Sequence, residues 1–131
     1  MSTPDRRPAY IARTSMDRAM TEDELLLAIT EAATYLGWRW THTRRSDRGL
    51  QMGHSGFPDL VLARDGHIVF LELKTEAGSL SPDQREWIDA LDPEDYPGRS
   101  LGPYRSQRVD VYVGRPRDLD RILRLLGARG I

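Results

Sequence analysis

Asp59, Glu72 and Lys74 are the residues of this chain whose types and spacing could do chemistry. Asp59 ends the segment Gly56-Phe57-Pro58-Asp59, and Glu72 and Lys74 flank Leu73. Carboxylates are hard oxygen ligands, and a lysine is a compact cation on a flexible stem. Two acids and a lysine at the end of an apolar hairpin fit a divalent-cation site. Hydrolysis of a phosphodiester needs a nucleophile made from water and charge relief on the scissile phosphate. Mg²⁺ supplies both when one or two carboxylates hold it and leave water positions open. The Leu73 carbonyl, between Glu72 and Lys74, could add a third oxygen. Lys74 could orient the attacking water, lower that water's pKa, or contact the phosphate.

The hairpin dictates whether the acids meet. Leu60 to Arg64 and Ile68 to Lys74 are rich in Val, Leu, Ile and Phe and read as strands. Asp65-Gly66 joins them as a two-residue turn, since both positions need φ > 0. Arg64 then faces His67, and paired residue numbers sum to 131. Asp59 and Glu72 obey the same sum, so they are expected as cross-strand neighbours with Cβ atoms about 5 Å apart. Lys74 lies two residues beyond Glu72 and shares its face.

The remaining elements frame this hairpin. Thr21 caps a helix that begins at Glu22, carries Leu25, Leu26, Ile29, Ala33 and Leu36 at helical spacing, and stops at Gly37. Glu22 leads the apolar stripe and is expected to point toward the sheet as a further metal ligand, ahead of Glu24. Arg39 to Thr43 reads as a strand with Trp40 and His42 on one face. Ser81-Pro82-Asp83-Gln84 opens a second helix, with Ser as N-cap, Pro in the first turn and Gln completing a capping box. Gln84 also lies on the Trp87, Ile88 and Leu91 face, which directs it at the sheet. Val109 to Val113 is a further strand, and Pro116 opens a last helix that ends at Gly127. Residues 1–19 read as a loose arm and residues 20–131 as one domain. Arg44 to Ser55 and Asp92 to Gln107 read as loops. The fold class is α/β: helix, three strands, helix, strand, helix.

The Gly-Phe-Pro-Asp segment, the Glu-Leu-Lys strand and the Ser-Pro-Asp-Gln helix start resemble the PD-(D/E)XK nucleases, and specifically their VRR-Nuc branch. The resemblance covers roughly Glu22 to Leu91. It implies a restriction-endonuclease-like αβββαβ core, a mixed sheet flanked by helices. It also implies Mg²⁺- or Mn²⁺-dependent endonuclease action on DNA, often by a homodimer on branched DNA such as Holliday junctions. By position, Asp59 and Glu72 match the metal ligands, Lys74 the catalytic lysine, Gln84 the glutamine of the following helix and Glu22 the first-helix acid. The two loops have no counterpart in the pattern.

Composition sets bounds on this reading. A formal net charge of -1 with 30% charged residues excludes a global basic field, so contacts to DNA must be local. Arg44, Arg45 and Arg48, opposed only by Asp47, are the candidate phosphate contacts, with His54 beside them. The absence of cysteine excludes a disulfide scaffold and a zinc–thiolate site and is compatible with a reducing cytoplasm. No apolar run is long enough to span a bilayer. Trp38, Trp40 and Trp87 read as core or interface residues rather than base-stacking platforms. With Tyr96 and Tyr104 they favour a dimer interface. Two other readings compete: a catalytically silent nuclease-fold module for DNA binding or assembly, and a metal-free protein-interaction domain.

Overall fold

The computed structural model describes residues 19–43, 52–92 and 108–129. Helix α1 (Glu22–Tyr35) starts at a reciprocal capping box: the Thr21 hydroxyl accepts from the Glu24 N–H, and the Glu24 carboxylate accepts from the Thr21 N–H. Strands β1 (Arg39–His42), β2 (Leu60–Arg64) and β3 (His67–Leu73) follow, then α2 (Pro82–Leu91), β4 (Arg108–Gly114), a 3-10 turn (Pro116–Asp118) and α3 (Leu119–Leu125). The element order is the one expected from the sequence. The last helix departs locally, because Pro116 opens a 3-10 turn before the α-helix begins.

The sheet runs β1-β2-β3-β4. The first three strands are antiparallel, and β4 pairs parallel with β3 after crossing through α2. The expected hairpin register holds, from Arg64↔His67 to Leu60↔Leu71. Asp65 and Gly66 both have positive φ, at 50° and 81°, which gives the mirror-image turn that matches strand twist.

One sheet face carries the core. Leu60, Leu62, Val69, Leu71 and Leu73 pack with Leu25, Ile29 and Ala33 of α1 and with Ile122 and Leu126 at the chain's last helix. Each such buried aliphatic contributes roughly 1.5–3 kcal/mol. Trp38 locks the edge of this layer: its indole donates to the Leu126 carbonyl at 2.8 Å, and Arg64 lies 4.6 Å over its ring. The opposite face carries α2. Phe57 meets Phe70 of β3 and Trp87 of α2 edge-on, at 6.0 and 4.8 Å between ring centroids. Side chains alternate along β3, so Glu72 lies on the α2 side while its neighbours Leu71 and Leu73 lie in the core. Among the described residues no helix is long and apolar enough to cross a membrane.

Candidate active site

The site lies where β2 begins and β3 ends, and the Gly-Phe-Pro-Asp segment delivers its first acid. Gly56 has φ 91°, and a Cβ there would stand 2.6 Å from the Asp83 carbonyl carbon and 2.8 Å from the Gln84 nitrogen. Only glycine permits this approach to the start of α2. Ser55 reinforces the contact by donating to the Asp83 carboxylate. Phe57 then enters the aromatic cluster, Pro58 is fully buried, and Asp59 emerges at the sheet end.

The Asp59 carboxylate accepts from the Leu73 N–H at 2.8 Å. That amide belongs to the peptide linking Glu72 and Leu73, so the bond fixes one acid against the backbone of the other. The Asp59 carboxylate is thereby set beside the backbone of the second acid. Glu72 is 1% exposed and accepts at Oε1 from Gln84 Nε2 at 2.8 Å. Gln84 performs both tasks that its position suggests. Its Oε1 accepts from the Ser81 N–H at 2.9 Å, which completes the capping box and turns the NH₂ end toward Glu72. Gln84 is also the buried residue of α2, at 3% exposed.

Lys74 lies just past β3 and is buried, at 7% exposed. Its backbone N–H donates to the Gly114 carbonyl at 3.0 Å, which anchors the end of the hairpin to β4. The loop that follows is held by Arg115, a residue the sequence pattern does not single out. One guanidinium nitrogen donates to the carbonyls of Thr75, Glu76 and Gly78 at 2.7, 3.2 and 2.7 Å. The backbone on either side of Lys74 is thus fixed to β4 and its exit.

An open cleft of about 740 Å³ adjoins Asp59, between α1 and the edge strand β1. Glu22, Leu26, Leu27, Trp40 and His42 contribute to its walls. Glu22 thus shares a cleft with Asp59, but it is exposed rather than turned to the sheet, because it lies one turn outside the buried Leu25. Glu24 is engaged by Thr21 in the capping box. Among the described residues no group of three or more His, Asp or Glu gathers closely enough to hold a metal ion, so Glu22 does not join Asp59 and Glu72 in one cluster. Asp59 and Glu72, with the Leu73 carbonyl as the expected third oxygen, are the residues that could hold Mg²⁺, which keeps several waters and takes one or two carboxylates rather than an all-protein cage.

The other expected residues are distributed as follows. His54 is exposed, and its carbonyl accepts from the Trp87 indole at 3.3 Å. His42 Nδ1 lies 2.8 Å from the Asp59 carbonyl. Trp38 is a core residue, whereas Trp40 is 42% exposed and lines the cleft, so it is not a core residue. Arg44, Arg45, Arg48, Tyr96 and Tyr104 lie outside the described residues. Away from the site, Asp110 gathers His67 at 2.6 Å and Arg108 at 3.1 Å. Partial burial and the Asp110 carboxylate push the Tyr112 phenol above its ordinary range, against a smaller opposing pull from Arg108.

A family model described as a VRR-NUC domain matches residues 17–100, more than half of the chain. No curated protein and no solved structure matches.

Proposed function

Because the chain belongs to the VRR-NUC domain family, and is in that sense a nuclease-type domain, we propose that it is a Mg²⁺- or Mn²⁺-dependent DNA endonuclease of the PD-(D/E)XK type. The observation that carries the proposal is the coupling of two acids at one sheet end. Asp59 is bonded to the Glu72–Leu73 peptide, Glu72 is held by Gln84, and Lys74 is buried two residues on.

Asp59, Glu72 and the Leu73 carbonyl would hold the metal. When bound, it supplies charge relief on the phosphate and an acidified water. The chain's own groups do the rest. Gln84 keeps the Glu72 carboxylate in one rotamer, which matters because a misplaced ligand or reacting group costs rate steeply. Lys74 Nζ has three donors and no acceptor, so it can hold the attacking water or a non-bridging phosphate oxygen but cannot ligate the cation while protonated. Arg44, Arg45, Arg48 and His54 are proposed to contact phosphates beside the site, and Glu22 to act from the cleft that Asp59 lines.

The substrate proposed is branched or structured DNA such as a Holliday junction, cut by a homodimer. Symmetric resolution requires two cuts, most simply from two sites related by a two-fold axis. The test is incubation of the pure protein with four-way, flapped and linear duplex DNA in Mg²⁺, Mn²⁺ or EDTA, with light scattering to give the mass in solution. Metal-dependent cleavage, fastest on the junction, with twice the 15.0 kDa chain mass is expected. Binding with no cleavage in either metal would assign the chain instead to a silent DNA-binding or assembly module. A monomer that prefers linear duplex would remove the junction reading and leave the metal-nuclease reading standing.

A further inference from the structure

The cleft beside Asp59 has walls that the hydrolysis of a phosphodiester does not require. Trp40 lines it and is 42% exposed, and Leu27 on the facing helix also lines it and is 58% exposed. Large apolar side chains left open on both walls of a concavity are informative, whereas scattered exposed ones are not. The Trp40 ring is also held in one orientation. Its Nε1 donates to Thr34 Oγ1 at 2.8 Å, and that hydroxyl donates in turn to the Thr30 carbonyl at 2.9 Å. The core does not need this ring, since Trp40 lies on the edge strand and is not among the buried core residues. A fixed, exposed indole face is a stacking platform.

The polar groups of the cleft select what can stack. Glu22 and Asp23 contribute to its lining beside Asp59, so a phosphate inside the cleft would meet acidic residues. An uncharged planar group with exocyclic N–H donors would meet acceptors instead. His42 lines the cleft as well, with its Nδ1 2.8 Å from the Asp59 carbonyl. The volume, about 740 Å³, lies within the range of roughly 300–1,000 Å³ typical of ligand sites. These are the properties of a nucleobase site. A base can enter only if it is out of the double helix, because a paired base has its hydrogen-bonding edge occupied and both faces stacked.

We propose that the Trp40–Leu27 cleft is a subsite for one nucleobase flanking the scissile phosphate, supplied by a flap or freed from its pair at a branch point, so that the enzyme selects DNA with an unstacked nucleotide next to the cut. The inference rests on the nuclease reading and deepens it, because the same Asp59 that would hold the metal also lines the cleft. The phosphate at the metal and the neighbouring base on Trp40 then belong to one strand.

The test uses the full chain and two labelled DNA probes of one sequence, a fully paired duplex and the same duplex bearing a single-stranded flap. Binding is read by fluorescence anisotropy in Ca²⁺, and cleavage in Mg²⁺. The wild type is expected to bind the flapped probe more tightly. Trp40→Ala should lose that preference by about 5-fold or more, the scale of one base–aromatic stack, with paired-duplex affinity unchanged. Trp40→Phe should keep most of it. Leu27→Asp, at a side chain too exposed to matter for folding, should also lose it and decides the matter if Trp40→Ala fails to fold. An unchanged flap-to-duplex ratio in all variants, or equal weakening on both probes, overturns the subsite. A flap-to-duplex ratio unchanged in Trp40→Ala while its mass by light scattering falls below that of the wild type assigns the cleft to a second copy of the chain and also overturns it. Metal-dependent cutting of the paired duplex that survives such a result leaves the nuclease reading intact. A wild type that neither binds nor cuts either probe removes the nuclease reading and the subsite with it.

Discussion

Replacing Gln84 with Glu separates the two tasks of that side chain. A carboxylate at the same position still accepts from the Ser81 N–H, so the capping box survives. The NH₂ that donates to Glu72 Oε1 at 2.8 Å is lost, and an acceptor takes its place. Losing a hydrogen bond to a charged group costs about 1.5–3 kcal/mol. A second carboxylate near 4 Å adds on the order of 4 kcal/mol at an effective dielectric of 20, part of which is relieved when the two acids share a proton. Glu72 is 1% exposed, so solvent screens little of this. Gln84→Glu should therefore unfold in urea at least about 3 kcal/mol earlier than wild type at pH 7 in EDTA. The deficit should shrink as pH falls and one carboxylate takes up a proton. Mn²⁺ at a hundred times Kd should stabilise either protein by about 2.7 kcal/mol, because the cation binds the folded acids only. Gln84→Met gives the contrast. It removes cap and donor together, adds no charge, and should show a deficit that falling pH relieves less, because the lost cap does not titrate. Equal stability of Gln84→Glu and wild type in EDTA would refute the Gln84–Glu72 contact. A loss confined to Gln84→Met would reduce Gln84 to a cap.

Lys74→Ala should fold and bind Mn²⁺ as wild type does, yet lose cleavage by roughly 100-fold or more, the contribution of a positioned proton-transfer or electrostatic group; paired calorimetry and single-turnover kinetics check both halves. Replacing Arg44, Arg45 and Arg48 together with Ala should weaken DNA binding and lower the slope of log K against log salt by up to about 3, measured by anisotropy across a salt series. The raised Tyr112 pKa carries a sign for stability: the unfolded phenol gives up its proton first, so stability holds below about pH 10 and falls as pH rises toward the folded value. Tyr112→Phe should flatten that alkaline fall slightly in urea titrations, by a small amount because Tyr112 is 41% exposed.

The site was legible in the sequence where local chemistry dictates it. Asp65-Gly66 fixes a two-residue turn, the turn fixes the register, and the register carries Asp59 to Glu72. Ser81 and Gln84 signal their capping box at a spacing of three residues. The parts that were not legible depend on segments far apart in the chain. Gly56 looks like any turn glycine until α2 is packed against it. Arg115 finds its carbonyls about forty residues earlier, and no local pattern marks an arginine for that task. Glu22 illustrates the limit of periodicity: the helical stripe gives its angle around α1 but not where the sheet ends beneath it. Trp40 shows the same limit, since β1 is an edge strand and α1 leaves its ring open.

The central claim is that Asp59 and Glu72 together hold a catalytic divalent cation. Calorimetric titration of Mn²⁺ into wild type, Asp59→Asn and Glu72→Gln, each confirmed as folded by circular dichroism, tests it most directly. Both substitutions keep the size of the side chain and remove a charged first-sphere oxygen. The account predicts binding by the wild type that either substitution weakens at least about tenfold, a loss of some 1.4 kcal/mol. Equal Mn²⁺ affinity in all three folded proteins, or none in the wild type, would contradict it.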